Sequence, residues 1–176
     1  MALTNLALPT ATLEPTPFGT AVSETVAQHF RVLNHVLQYG NWCLEVDPTA
    51  YYAVVQDLKH THGFTMLVDL CGVHHVAEPA SLAVVAQLHH LPERTRLFVT
   101  VQLPITDPVI DSLVPLFPSA NWMERETYDF FGIRFTGHPN LTRILNEDSM
   151  AYFPLRKEYP LEDQTRTDKD DRMFGR

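Results

Sequence analysis

The chain has 176 residues, 45% of them hydrophobic and 19% charged, the proportions of one globular domain with its own core. Its net charge of -8 argues against a nucleic-acid partner, since affinity for a phosphate backbone rests on clustered Lys and Arg. No apolar run approaches the roughly 18 residues that a membrane-spanning helix needs, and residues 1–19, rich in Thr and Pro without a basic residue, do not read as a secretory signal.

The first helix is expected after Ser23 as N-cap, with Val26, Phe30, Leu33 and Leu37 at helical spacing until Gly40. Trp42, Leu44 and Val46 alternate as a short strand. Asp47-Pro48 then supplies an N-cap and a proline at the first helical position, opening a helix to about His62 that buries Tyr51, Val54, Val55 and Leu58. Residues 64–76 and 95–103 read as strands. Residues 81–91 fit either period, and strand is preferred because Ala77-Glu78-Pro79-Ala80 makes a hairpin loop between neighbours. That hairpin would set His75 opposite Leu82 and His89 opposite Val68. Asp107-Pro108 repeats the capping signal for a short helix ending near Phe117-Pro118. Ser119 is expected to cap a last helix over residues 120–131, closed by Gly132.

This order predicts an α+β fold: a small, largely antiparallel sheet with helices packed on one face, plus an extended irregular C-terminal arm. The domain division is a flexible segment at 1–20, the α+β domain at 21–132 and the arm at 133–176.

Cys43 and Cys71 are isolated within apolar segments, which suggests small buried hydrophobes and a reducing compartment. Nine histidines, three of their pairs at His60/His62, His74/His75 and His89/His90, raise the question of a metal site. Adjacent strand residues point to opposite faces, so each strand pair offers one ligand per face and no four-ligand set assembles. No Cys-x-x-Cys, His-Glu-x-x-His, phosphate loop or nucleophile elbow is present.

The densest constellation runs from Trp122 to Phe131, where charges and large aromatics interleave on both faces of the expected helix. Three readings compete. Glu126 and Asp129 resemble half of a metal or acid/base site, the basis for a small metal-dependent enzyme, but lack a Glu-x-x-His and a second helix. An Arg125–Asp129 pair at i,i+4 is the ordinary surface alternative. The third is charges held at a protein interface, with Trp122, Phe130 and Phe131 contributing most of the buried area. The residues after Gly132 favour it. They include Ile133, Phe135, Leu141, Leu145, Phe153, Leu155 and Leu161, too apolar for a disordered tail, yet without helical or alternating pattern. An arm ordered against a partner satisfies both properties. Beyond Glu162 the run from Asp168 to Arg172 reads as solvated.

Glu124-Arg125-Glu126-Thr127-Tyr128-Asp129-Phe130-Phe131-Gly132-Ile133, then Gly137-His138-Pro139, Arg143-Ile144-Leu145 and Pro154-Leu155-Arg156-Lys157-Glu158-Tyr159-Pro160-Leu161, resemble in order and spacing the signature of the 30 kDa subunit of respiratory complex I, the proton-pumping NADH:quinone oxidoreductase. The resemblance implies a peripheral-arm subunit packed against the 49 kDa subunit near the quinone-reduction module. It also implies no direct membrane span and a place on the cytoplasmic side of the energy-converting membrane, held there through the complex. No cofactor is implied in this chain, with flavin and iron–sulfur clusters in partner subunits. Glu124, Arg125, Glu126, Asp129, His138, Arg143, Arg156 and Lys157 would then be interface and positioning residues rather than catalysts. Equivalent subunits of membrane-bound hydrogenases, photosynthetic-type complexes and F420-linked dehydrogenases are the alternative. Two positions depart from the pattern: Thr142 replaces a basic residue, and Tyr152-Phe153 replaces Gly-His before the later proline.

Overall fold

The computed structural model describes residues 14–77 and 80–159. The hairpin tip at Glu78-Pro79, the end of the arm at Leu161 and the charged run beyond Glu162 lie outside the described residues.

Helix α1 spans Pro17–His29. It starts inside the segment expected to be flexible and well before the assumed Ser23 cap. The cap is Thr16, whose hydroxyl accepts the Gly19 N–H at 3.1 Å, with proline at the first position. Leu33 and Leu37, assigned above to this helix, belong instead to strand β1, Val32–Gln38, which pairs antiparallel with β2, Asn41–Val46. Gly40 is therefore not a helix stop. Tyr39 (φ 49°) and Gly40 (φ 76°) are both left-handed, the two-residue type I′ turn whose twist suits a hairpin.

Asp47 caps as expected, accepting the Thr49 N–H at 3.0 Å, and a short 3-10 turn, Pro48–Ala50, leads into α2, Tyr51–His60. Its buried residues are the four anticipated ones, Tyr51, Val54, Val55 and Leu58. Strands β3, Met66–His75, β4, Ser81–His90, and β5, Thr95–Pro104, follow. The register of β3 on β4 differs from the expected one: His75 faces Ser81, and a bulge between Leu67 and Asp69 brings His89 opposite Met66. No helix follows Asp107-Pro108. Val109–Asp111 is strand β6, paired parallel with β7, Arg134–Thr136, in a small second sheet. Helix α3, Ala120–Phe131, lies between them in sequence.

The main sheet has the order β1-β2-β5-β4-β3, antiparallel except for β2 against β5. Alternation on β5 is strict: Leu97, Val99, Val101 and Leu103 are buried, while Phe98, Thr100 and Gln102 line the opposite, open face. The buried face meets α1 through Val22 and Val26, and α2 through its four core residues. It also meets α3, which packs along β3; a Cβ on Gly72 would sit 2.6 Å from the Phe131 ring. Hence the helices share one face.

Candidate functional site

Residues 120–159 contain all ten nominated positions, and α3 is their frame. Ser119 does not cap this helix by its side chain; its backbone is already helical, continuing the preceding turn. At the other end Gly132 (φ 73°) closes the helix, its N–H donating to the Tyr128 carbonyl at 2.8 Å. Unexpectedly for so polar a helix, two carboxylates are fully buried, Glu124 and Asp129.

Glu124 faces the corner after β6. One carboxyl oxygen accepts the Leu113 N–H and the other the Ser112 hydroxyl, both at 2.6 Å. Burial pushes its pKa from the ordinary 4.5 to about 7, against the opposing pull of those two hydrogen bonds. Its charged form in turn adds to the burial that raises the Tyr51 phenol, whose oxygen is buried without a hydrogen-bond partner among the described residues.

Asp129 faces the arm. Oδ2 accepts the consecutive N–H groups of Ile144, Leu145 and Asn146 at 3.1, 2.8 and 2.9 Å. Oδ1 accepts from the Arg143 guanidinium at 2.7 Å and from the Asn146 amide at 3.1 Å. Burial by itself would raise this carboxyl; the backbone donors of Asn146 and Leu145, then Arg143 and the Ile144 N–H, outweigh it and hold the group well below the usual carboxylate range. With five donors already on its two oxygens, Asp129 has little capacity left for a cation. Among the described residues no group of three or more His, Cys, Asp or Glu side chains is placed to hold one.

Arg143, 14 residues from Asp129, takes the role that the i,i+4 reading gave to Arg125. It also donates to the Asp129, Met150 and Tyr152 carbonyls. Arg125 instead reaches the Thr142 and Arg143 carbonyls at 3.1 and 2.9 Å and stacks over Trp122. His138 Nε2 lies 3.1 Å from the Asn121 carbonyl, and its Nδ1 accepts the Asn140 N–H, which makes Nε2 the protonated nitrogen. Arg156 donates to the Phe131 carbonyl at 2.7 Å, and the Lys157 N–H donates to His74 Nδ1 at 2.9 Å. Phe130 is half-buried, and the Leu155 N–H donates to its carbonyl. Trp122, Glu126 and Lys157 are exposed.

Phe153 is not one of the nominated positions, yet it holds the arm's second half. Its ring lies against Gly132, where a Cβ would approach within 2.5 Å, and is flanked by Arg143 and Arg156 at 5.2 and 5.0 Å. The arm thus lies back on its own domain as far as Tyr159, and it leaves Trp122, Leu145, Tyr152, Leu155 and Tyr159 exposed. The expectation of two buried cysteines is not met: Cys43 is half-buried and Cys71 exposed.

Residues 44–165 match the sequence profile of the family described as respiratory-chain NADH dehydrogenase, 30 Kd subunit. The chain belongs to this family. A relative from Herpetosiphon aurantiacus, named as a subunit of NADH-quinone oxidoreductase, is 37% identical over 142 residues, covering 80% of this chain and 83% of its own. Another of the same name, from Trichlorobacter lovleyi, is 40% identical over 124 residues, 70% and 76% of the two chains. The solved "Nqo5 of the trypsin-resistant fragment (1-134)" is 32% identical, with a TM-score of 0.58 over 69% of this chain and 97% of that one. A chain of an archaeal membrane-bound sulfane sulfur reductase shares the fold alone, at 18% identity and a TM-score of 0.70 over 81% and 86%.

As a family member this chain is a subunit of a hetero-oligomeric complex, and no helix among its described residues is long and apolar enough to cross a membrane. Its departures from the signature also become intelligible. Arg125 contacts the backbone oxygen of Thr142, a contact indifferent to the side chain there. Phe153, standing where the pattern has His, presents an aromatic ring to two arginines.

Proposed function

We propose that this chain is a cofactor-free peripheral subunit of an NADH:quinone oxidoreductase, docking on the 49 kDa subunit near the quinone-reduction module on the cytoplasmic side of the membrane. Flavin and iron–sulfur clusters reside in partner subunits, and this chain alone performs no redox step. The observation that carries the reading is the set of exposed large apolar side chains Leu145, Tyr152, Leu155 and Tyr159 on an arm whose backbone is already tied to α3, together with the exposed Trp122 of α3 itself. Soluble proteins seldom expose such groups together without a partner. Because Asp129, Arg143 and Arg156 organise the arm internally, they act in docking by presenting this surface, while Trp122 and Leu155 enter the partner. Less ordering entropy is then lost on assembly than for a free arm.

The test is the native complex isolated from membranes, with this chain cross-linked to its neighbours. The 49 kDa subunit is expected to cross-link near Trp122 and Leu155, and the combined Trp122→Ala and Leu155→Ala substitutions should deplete this chain from the complex by roughly tenfold or more. Wild-type occupancy in that variant would refute the docking surface. The fold shared with the sulfane sulfur reductase keeps the equivalent subunit of a related membrane complex as the second reading. Co-purification of a hydrogenase-like or F420-linked catalytic subunit, in place of NADH-oxidising subunits, would establish it.

A further inference from the structure

We infer that the free edge of β1, on the side of the sheet away from the arm, is a second docking site, which accepts an extended uncharged segment of another subunit as a sixth strand. Among the described residues strand β1 pairs only with β2, so its other edge carries no described strand. In the antiparallel ladder that starts from the Gln38–Asn41 pair closing the two-residue turn, the N–H and C=O groups of His35 and Leu37 point to that edge.

Sheet edges in soluble proteins are usually blunted by charge, proline, a bulge or a covering element. The opposite edge, β3, has such devices: Asp69, the bulge beside it, and the arm bound at His74. On β1 a register shift between Val32 and Asn34 interrupts the start of the strand, and the ladder is regular from Asn34 to Gln38. From Val32 to Leu44 the chain has no Asp, Glu, Lys or Arg, in a protein of net charge -8. Leu33, Val36, Leu37 and Tyr39 are exposed on this hairpin at 56%, 36%, 43% and 88%.

The side-chain surroundings independently ask for the same occupant. Beside β1 the open face of the sheet holds a cavity of about 450 Å³ with Val36, Cys43, Val73, Val85 and Phe98 in its lining. A strand added to β1 would project alternate side chains over this cavity, whose wall also carries Asn34, Gln38, Thr100 and Gln102, and the others beside Leu33 and Leu37, so uncharged residues suit the first face and apolar ones the second. The occupant is a partner subunit rather than a second copy. The chain belongs to a hetero-oligomeric assembly, whereas self-pairing would bring two bodies of charge -8 together, each with Glu45 at the cavity wall.

The inference rests on membership of an assembly and not on which surface meets the 49 kDa subunit. Hydrogen exchange compared between the isolated wild-type chain and the native complex tests it directly. The amides of His35 and Leu37 should exchange fast in the isolated chain and at least tenfold more slowly in the complex, while Val36 and Gln38, bonded to β2, are protected in both. Leu37→Pro removes an outward donor and leaves the β1–β2 ladder intact, so a folded variant should enter the complex about tenfold less well. Equal exchange at His35 and Leu37 in both states would overturn the inference, as would a dimer of the isolated chain that already protects them. Docking through Trp122 and Leu155 is read in separate variants, so either site can fail alone.

Discussion

Two buried carboxylates on one helix titrate in opposite directions, because their surroundings differ in donors. Asp129 meets five donors, one of them a guanidinium; Glu124 meets two neutral ones. Removing Asp129 leaves Arg143 and three backbone N–H groups without their acceptor. Asp129→Ala should cost about 3 kcal/mol, read as a lower urea midpoint and as lost exchange protection at residues 144–146. Its folded pKa lies below the unfolded one, so the stability it supplies is full above the ordinary 3.8 and is lost as pH falls below that value. Glu124 has the opposite sign. Its pKa rises from 4.5 unfolded to about 7 folded, so the folded state holds the proton more tightly and stability declines as pH rises between those values. The decline amounts to about 3 kcal/mol, and Glu124→Gln should flatten it, measured by denaturation at about pH 4.5 and about pH 7.5. An unchanged slope in that variant would assign the pH dependence to another group.

At the scale of elements, Gly132 shows how a helix end serves the site. Its left-handed φ and the Phe153 ring both exclude a side chain, so Gly132→Ala should destabilise by about 2 kcal/mol and expose the arm to trypsin at Arg156. The cleavage rate, compared with wild type, checks this. Helices α2 and α3 were legible because a capping signal or a closing glycine bounded one apolar stripe. Strand β4 was legible only through its neighbours, since its period was ambiguous. The stretch through β1 misled, because Leu33, Val36 and Leu37 sit at i, i+3 and i+4, and a glycine after an apolar run ends a helix as readily as it forms a turn. Its state is decided by pairing with β2, which no local pattern records. Thr16-Pro17 carried the same kind of capping signal as Asp47-Pro48 and locates the true helix start. The site was legible as a set of residues through the family signature, but not as a set of contacts. Arg143 reaches Asp129 through an irregular arm with no period to fix its path. Phe153 gains importance only once Gly132, Arg143 and Arg156 surround it.

Across the whole molecule, the sheet separates two surfaces that are apolar for different reasons. The arm presents side chains on a backbone whose polar groups are partly satisfied internally, so it suits a partner with apolar hollows. The β1 edge presents backbone groups that no described strand pairs, so it suits an extended chain. Helix α3 packs on β3 and the free edge is β1, four strand spacings away, roughly 19 Å. Sites so far apart without shared contacts contribute independently to binding, with coupling below about 0.5 kcal/mol. The occupancy losses caused by Trp122→Ala and by Leu37→Pro should therefore multiply in the double variant of the native complex. If the two surfaces met a single segment of one partner, or if loss of one deformed the other through the sheet, the double variant would lose no more than the worse single one. Occupancy measured by quantitative mass spectrometry of the four complexes distinguishes a bridging subunit with two separate attachments from one held at a single continuous interface.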